Sequence, residues 1–194
     1  MNKLTAGVLA ALSLATVNGS ALADGVAYTL DPSHTYPSFE ADHMGISLWR
    51  GKMNKSTGMM TLDKTSGDGT IDVKIDPASI DFGNQKLNEW AKGKDFFQVD
   101  KFPQAEYKGK LSGFTGQGTA RVTGQLTLHG VTKPLDLAVN SFRCIQHPMF
   151  KKDYCGADAE ATFDREQFGL TAGKDYGFRM DVKLRIQVEA IADK

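Results

Sequence analysis

The sequence predicts an all-β protein: an eight-stranded antiparallel β-barrel with one short helix. Three observations predict it. Apolar and polar residues alternate along most of the chain, the period of half-buried strands with one wet face. Glycine-bearing turn signals, "GDG", "FTGQG", "HGVTKP" and "AGKDYG", separate these runs at short intervals. A meander of that many strands would leave two raw edges unless the sheet closed on itself. An eight-stranded closure is wide enough to be filled by side chains or to hold one small ligand.

The chain opens with "MNKLTAGVLAALSLATVNGSALADG", where Lys3 precedes an apolar run over 4–17 and Ala21-Leu22-Ala23 forms a small-x-small site. This reads as a secretory signal peptide over 1–23, cleaved after Ala23. The run is too short to span a bilayer. The expected product is one exported, periplasmic domain over 24–194, a length that can bury a substantial core.

Strands are expected near 37–43, 48–63, 69–76, 103–113, 118–129, 133–143, 157–165 and 178–191. In the first, "SFEADH" places Phe39, Ala41 and His43 on one face, with Ser38, Glu40 and Asp42 on a face read as solvated. "TIDVKID" aligns Ile71, Val73 and Ile75. "GQLTLHG" aligns Leu126 with Leu128, and "PLDLAVN" aligns Leu135, Leu137 and Val139. "AEATFDR" aligns Ala159, Ala161 and Phe163. In "FRMDVKLRIQVEAI", Val182, Leu184, Ile186, Val188 and Ala190 oppose a charged row. Only "GNQKLNEWAKGKDFFQVDKFP" breaks the period: Leu87 and Trp90 are spaced for a short helix, followed by Phe96, Phe97 and Phe102. Small inward candidates (Ala41, Ala105, Gly109, Ala159, Ala161) would leave room in the barrel, although large neighbours could equally fill it.

Composition excludes several function classes. Lys plus Arg equal Asp plus Glu at 23 each, without a long basic block, so nothing argues for nucleic acid. Cys144 and Cys155, in an exported chain, read as a disulfide closing "CIQHPMFKKDYC". His34, His43, His129 and His147 are scattered without HxH or HxxxH spacing, so no metal site is expected. No GxSxG is present, and the glycines of "FTGQGTARVTG" neither have dinucleotide-loop spacing nor precede a helix. The chain is not expected to be an enzyme.

The ordered motifs "YTLDPSH", "HMG", "DFFQVDKFPQAEYKG", "GQLTLHGVTKPLDL" and "FDREQFGL" resemble the YceI-like family of exported, lipocalin-like, polyisoprenoid-binding proteins. The likeness covers nearly all of 24–194. It implies a lipocalin-like barrel with a long apolar tunnel for an isoprenoid, quinone-like or fatty amphiphile, often in a dimer. The matching positions are His34, Phe39, His43, Gly45, Phe96, Phe97, Pro103, His129, Gly130, Arg165, Phe168 and Gly169. Departures are Pro37 in the first strand, the Met- and Trp-rich "ISLWRGKMNKSTGMMTL" and the cysteine hairpin.

Ligand contacts are therefore expected from Phe39, His43, Met44, Trp49, Trp90, Phe96, Phe97, Leu126, Leu128, Phe163, Arg165 and Phe168. His43 either donates to a ligand head group at the mouth or bonds a neighbouring strand. Arg165 either meets a phosphate or carbonyl head group or pairs with Asp164 or Glu166. The expectation is a carrier with no cofactor beyond its bound lipid. The alternative is an envelope interaction module with a filled barrel. A transient membrane contact and a homodimer are further associations such a carrier would admit.

Overall fold

The computed structural model describes residues 25–194, so the leader expected over 1–23 lies outside the described residues. Among the described residues there are twelve strands: β1 (Val26–Leu30), β2 (Tyr36–His43), β3 (Ser47–Met53), β4 (Ser56–Asp63), β5 (Asp68–Ile75), β6 (Ile80–Asp81), β7 (Ala105–Ser112), β8 (Gln117–Leu128), β9 (Val131–Pro134), β10 (Leu137–Gln146), β11 (Asp153–Asp164) and β12 (Asp181–Ala192). All pairings are antiparallel, in the order β1-β4-β5-β7-β8-β10-β11-β12, and β12 returns to β1. That is a closed eight-stranded barrel, with no free edge around this ring.

The expected eight strands become twelve because the runs at 48–63 and 133–143 each divide in two, and β1 and β6 lie outside every expected run. β1 and β2 lie one after the other along β12, where Leu30 faces Ala190 and Tyr36 faces Gln187. The turn at 31–35 separates them. There the Thr35 hydroxyl stands in for ladder groups, donating to Glu189 O and accepting from Glu189 N–H, each at 3.2 Å. Pro37, which has no N–H, falls just beyond this gap. The run expected at 48–63 divides at 54–55. Its first half, β3, pairs β2 and β6, and its second half, β4, pairs β1 and β5. The β10 region starts at Leu137 rather than 133, because 131–134 folds back on β8 as the hairpin arm β9. The upper storey β2–β3–β6 thus extends from β12 above the ring.

One α-helix is present among the described residues, α1 (Gln85–Lys92), where the Leu87–Trp90 spacing predicts it. Asn84 caps it, its side chain accepting from Leu87 N–H at 3.1 Å. Cys144 and Cys155 face each other across β10 and β11 and are joined.

The two barrel ends differ. At the lower end Tyr28 and Leu62 are fully buried, and Phe114 packs on Phe142 with ring centres 4.1 Å apart. The Tyr28 hydroxyl donates to Asp153, which also pairs with Lys64. At the upper end the strands open into the β2–β3 hairpin, α1 and the segments 93–104 and 169–180.

Candidate functional site

The inward rows do not meet at the barrel axis. They enclose a cavity of about 260 Å³ with a wall that is almost wholly apolar. Lining residues on β12 run from Val182 to Ala190. Eight steps at ~3.3 Å, tilted ~40° from the axis, give a depth of roughly 20 Å. Three of the small inward residues, Ala41, Ala105 and Ala159, line the space as expected. Gly109 and Ala161 do not. Gly109 faces Gly124 across β7 and β8, and the Tyr107 ring leans over both on its way to donate to Leu135 O at 2.9 Å.

Nine of the residues expected at a ligand line this cavity: Phe39, Trp49, Trp90, Phe96, Phe97, Leu126, Leu128, Phe163 and Arg165. Three do not. Phe168 is buried behind the wall, edge-on to Phe163 with centres 5.4 Å apart. Met44 is exposed at the β2–β3 turn, one residue past the end of the inward row. His43 stands at the rim, stacked on Trp49 at 4.3 Å and edge-on to Phe178 at 4.9 Å. His34 bonds Asp31 within its own turn at 2.8 Å, and His129 bonds Phe168 O, 39 residues further on, at 3.0 Å.

Arg165 is the cationic residue of the wall, which also includes Thr35 and Asp42. β11 ends at Asp164, whose carboxylate accepts from Glu166 N–H at 2.8 Å and starts a 3₁₀ turn over Arg165–Phe168. Gly169, at φ 76, ends that turn in the left-handed region and returns the chain over the guanidinium. Nη1 then donates to Leu170 O at 2.5 Å and Nη2 to Ala172 O at 2.7 Å, while the ζ carbon sits 5.7 Å over the Phe96 ring. Only 6% of Arg165 is exposed, and no carboxylate pairs with it among the described residues. Burial lowers its pKa, opposed by the nearby Asp164 charge, yet a guanidinium stays protonated. The two bonds use two of the five N–H donors of the fork.

Several lining residues escape the sequence reading. Phe82 lies in a segment without a period, and Phe178 opens the run expected as a strand over 178–191 but precedes the observed start of β12 at Asp181; the two complete the aromatic rim around Trp49, at 6.3 and 6.1 Å. Asp42 corrects the reading of its face as solvated, since it is only 5% exposed. It accepts from Arg179 N–H at 3.1 Å and Gly45 N–H at 3.0 Å, and these bonds hold its carboxyl below the usual range. Asp42 thereby pins the segment after 169 to the hairpin at the mouth. Cys144, Cys155 and Asp153 form a group of metal-ligating types, but the sulfurs are joined and Asp153 already serves Tyr28 and Lys64.

A closed antiparallel barrel wrapped around an apolar tunnel defines a lipocalin-like protein. Residues 28–190 match the YceI-like domain, and the chain belongs to that family. A UPF0312 protein of Ectopseudomonas mendocina is 29% identical over 187 residues, spanning 94% of this chain and 96% of that one. The Campylobacter jejuni YCEI protein superposes with a TM-score of 0.66 at 24% identity, over 78% of this chain and 90% of that one. A polyisoprenoid binding domain from Saccharophagus degradans, implicated in plant cell wall breakdown, superposes with a TM-score of 0.63 at 15% identity. That match covers 86% of this chain and 99% of that domain.

Proposed function

We propose that the protein is a periplasmic carrier that sequesters one long apolar tail in its barrel and holds the polar head of that lipid near Arg165. The observation behind this reading is a deep apolar cavity whose wall contains one buried cation without a carboxylate partner. A phosphate, carboxylate or carbonyl head group would complete that cation's hydrogen bonding. The action is burial, with no bond made or broken. Each sequestered methylene gains about 0.8 kcal/mol relative to water, so ten contribute about 8 kcal/mol.

Depth favours a long guest. A bilayer's hydrocarbon core is about 30 Å thick, so one leaflet spans about 15 Å, less than the roughly 20 Å available here. Isoprenoids, isoprenoid quinones and long fatty derivatives fit that requirement. The similarity to the Saccharophagus degradans polyisoprenoid binding domain supports the same reading at the level of the fold. Export rests on the leader-like residues 1–23.

Organic extraction of protein purified from the periplasmic fraction, followed by mass spectrometry, tests the reading. Near one long-chain lipid per chain is expected. Absence of lipid, together with no uptake of offered prenyl lipids or fatty acids, would refute it.

A further inference from the structure

The rim of the cavity carries five exposed apolar or amphipathic side chains, of which only Trp90 also lines the tunnel. Ile46 is 77% exposed and Met44 50%, at the tip of the β2–β3 hairpin, with Leu48 exposed beside them. Tyr176, on the segment above Arg165, is also 77% exposed, and Trp90 is 40% exposed at α1. All five lie at the upper end of the barrel, where Trp49, Trp90 and Phe178 line the cavity.

The hairpin accepts a backbone cost to present this tip. Its central residues Met44 (φ 58) and Gly45 (φ 73) both adopt left-handed conformations, closed by Ile46 N–H donating to His43 O at 3.1 Å. Asn-Gly fills such a pair with least strain, and a methionine at the first position is disfavoured. A turn optimised only for folding would place a polar residue there. An apolar one, flanked by Ile46, contradicts local preference at a wet surface, the kind of inconsistency that marks functional sites.

We propose that this rim is a docking surface for a lipid bilayer, with the β2–β3 tip inserting among the acyl chains and Trp90 and Tyr176 resting at the interface. The proposal rests on the carrier reading above in one respect: a tail that crosses water to reach the tunnel exposes each methylene at about 0.8 kcal/mol. A mouth pressed on the membrane removes that crossing. Amphipathic Trp and Tyr rings favour the headgroup level. Two bases at the mouth are paired with acids (Lys174 with Glu166, Arg179 with Asp42), so the attraction proposed is apolar rather than ionic.

The test compares the wild type with Met44→Asn/Ile46→Ser and with Ile46→Ser alone, on phosphatidylcholine vesicles. Asn suits the left-handed position, so the double variant should melt no lower than the wild type. Sedimentation with vesicles should weaken about tenfold in the double variant, equivalent to about 1.4 kcal/mol. Extraction of a fluorescent prenyl lipid from vesicles should slow by a similar factor, while uptake of the same lipid from detergent micelles stays unchanged. Equal vesicle binding by wild type and variants overturns the proposal. So does binding abolished by high salt, or self-association of the wild type that the variants lose, which would assign the tip to a second copy. Uptake from neither micelles nor vesicles would refute the carrier reading, whereas sedimentation alone still decides the docking surface.

Discussion

Ala159 and Ala157 sit at successive depths on the cavity wall, facing Ile186 and Val188 of β12. Measured from Val182 at the mouth, four and six strand steps place them roughly 10 and 15 Å down a tunnel about 20 Å deep. Replacing either by phenylalanine puts a ring into the lumen. If a tail runs the length of the barrel, Ala159→Phe leaves about 10 Å of bore and Ala157→Phe about 15 Å. The deeper block therefore admits roughly four more methylenes, worth about 3 kcal/mol at ~0.8 kcal/mol each. A series of fatty acids or prenols of increasing length, titrated against both variants, should show affinity levelling off at a shorter chain for Ala159→Phe. The wild type should level off last. Thermal melts supply the control, because a ring entering existing space should not lower stability by the 1–3 kcal/mol that overpacking costs. Identical length profiles for two well-folded variants would refute a tail lying along the axis.

Arg165→Met keeps the bulk of the side chain but removes its charge and donors. Preference for a lipid with an acidic or carbonyl head over a plain hydrocarbon of equal length should disappear in a competition assay, while hydrocarbon uptake persists. Stability should fall by no more than about 1–3 kcal/mol, since two lost carbonyl bonds are offset by relief of a buried charge. Cys144→Ser with Cys155→Ser should cost about 2–3 kcal/mol in denaturant melts, the entropy of a short closed loop, and leave lipid uptake intact. His34 has a raised pKa, chiefly through its bond to the Asp31 carboxylate. Its contribution to stability is thus fully present below about pH 6.5 and is lost as pH rises through the elevated value. Urea melts should show the His34→Ala penalty largest near pH 5 and smaller in alkaline buffer. A penalty that grows with pH would exclude the ion pair.

Period-two patterning locates most of the wall because each inward row is local: Ile71 to Ile75, Leu126 to Leu128 and Val182 to Ala190 are legible without knowing any partner strand. Arg165 stands out because a cation follows an apolar alternation at the end of a strand. What escapes is set by contacts distant along the chain. β1 is only five residues long, and the turn at 31–35 hides its continuation into β2, which becomes visible only against β12. Asp42 looks solvated by alternation, yet the Arg179 amide that buries it lies 137 residues away. Phe82 belongs to a loop, where no periodicity announces which way a ring points, whereas Phe178 falls within the run expected as a strand but ahead of the observed start of β12. Met44 and Phe168 show the converse limit, since a family motif or an apolar residue beside a site need not face it.

The glycine pair beneath Tyr107 sets the calibre of the channel. A β-carbon on Gly124 would come within 2.4 Å of the phenolic oxygen, and one on Gly109 within 3.2 Å of the ring and 2.5 Å of Val122. A side chain at Gly124 would displace the ring, and one at Gly109 would press first on Val122, which lines the same cavity. Two missing methyl groups therefore keep a large aromatic flush with the wall, and the clear width inside depends on atoms the polypeptide omits.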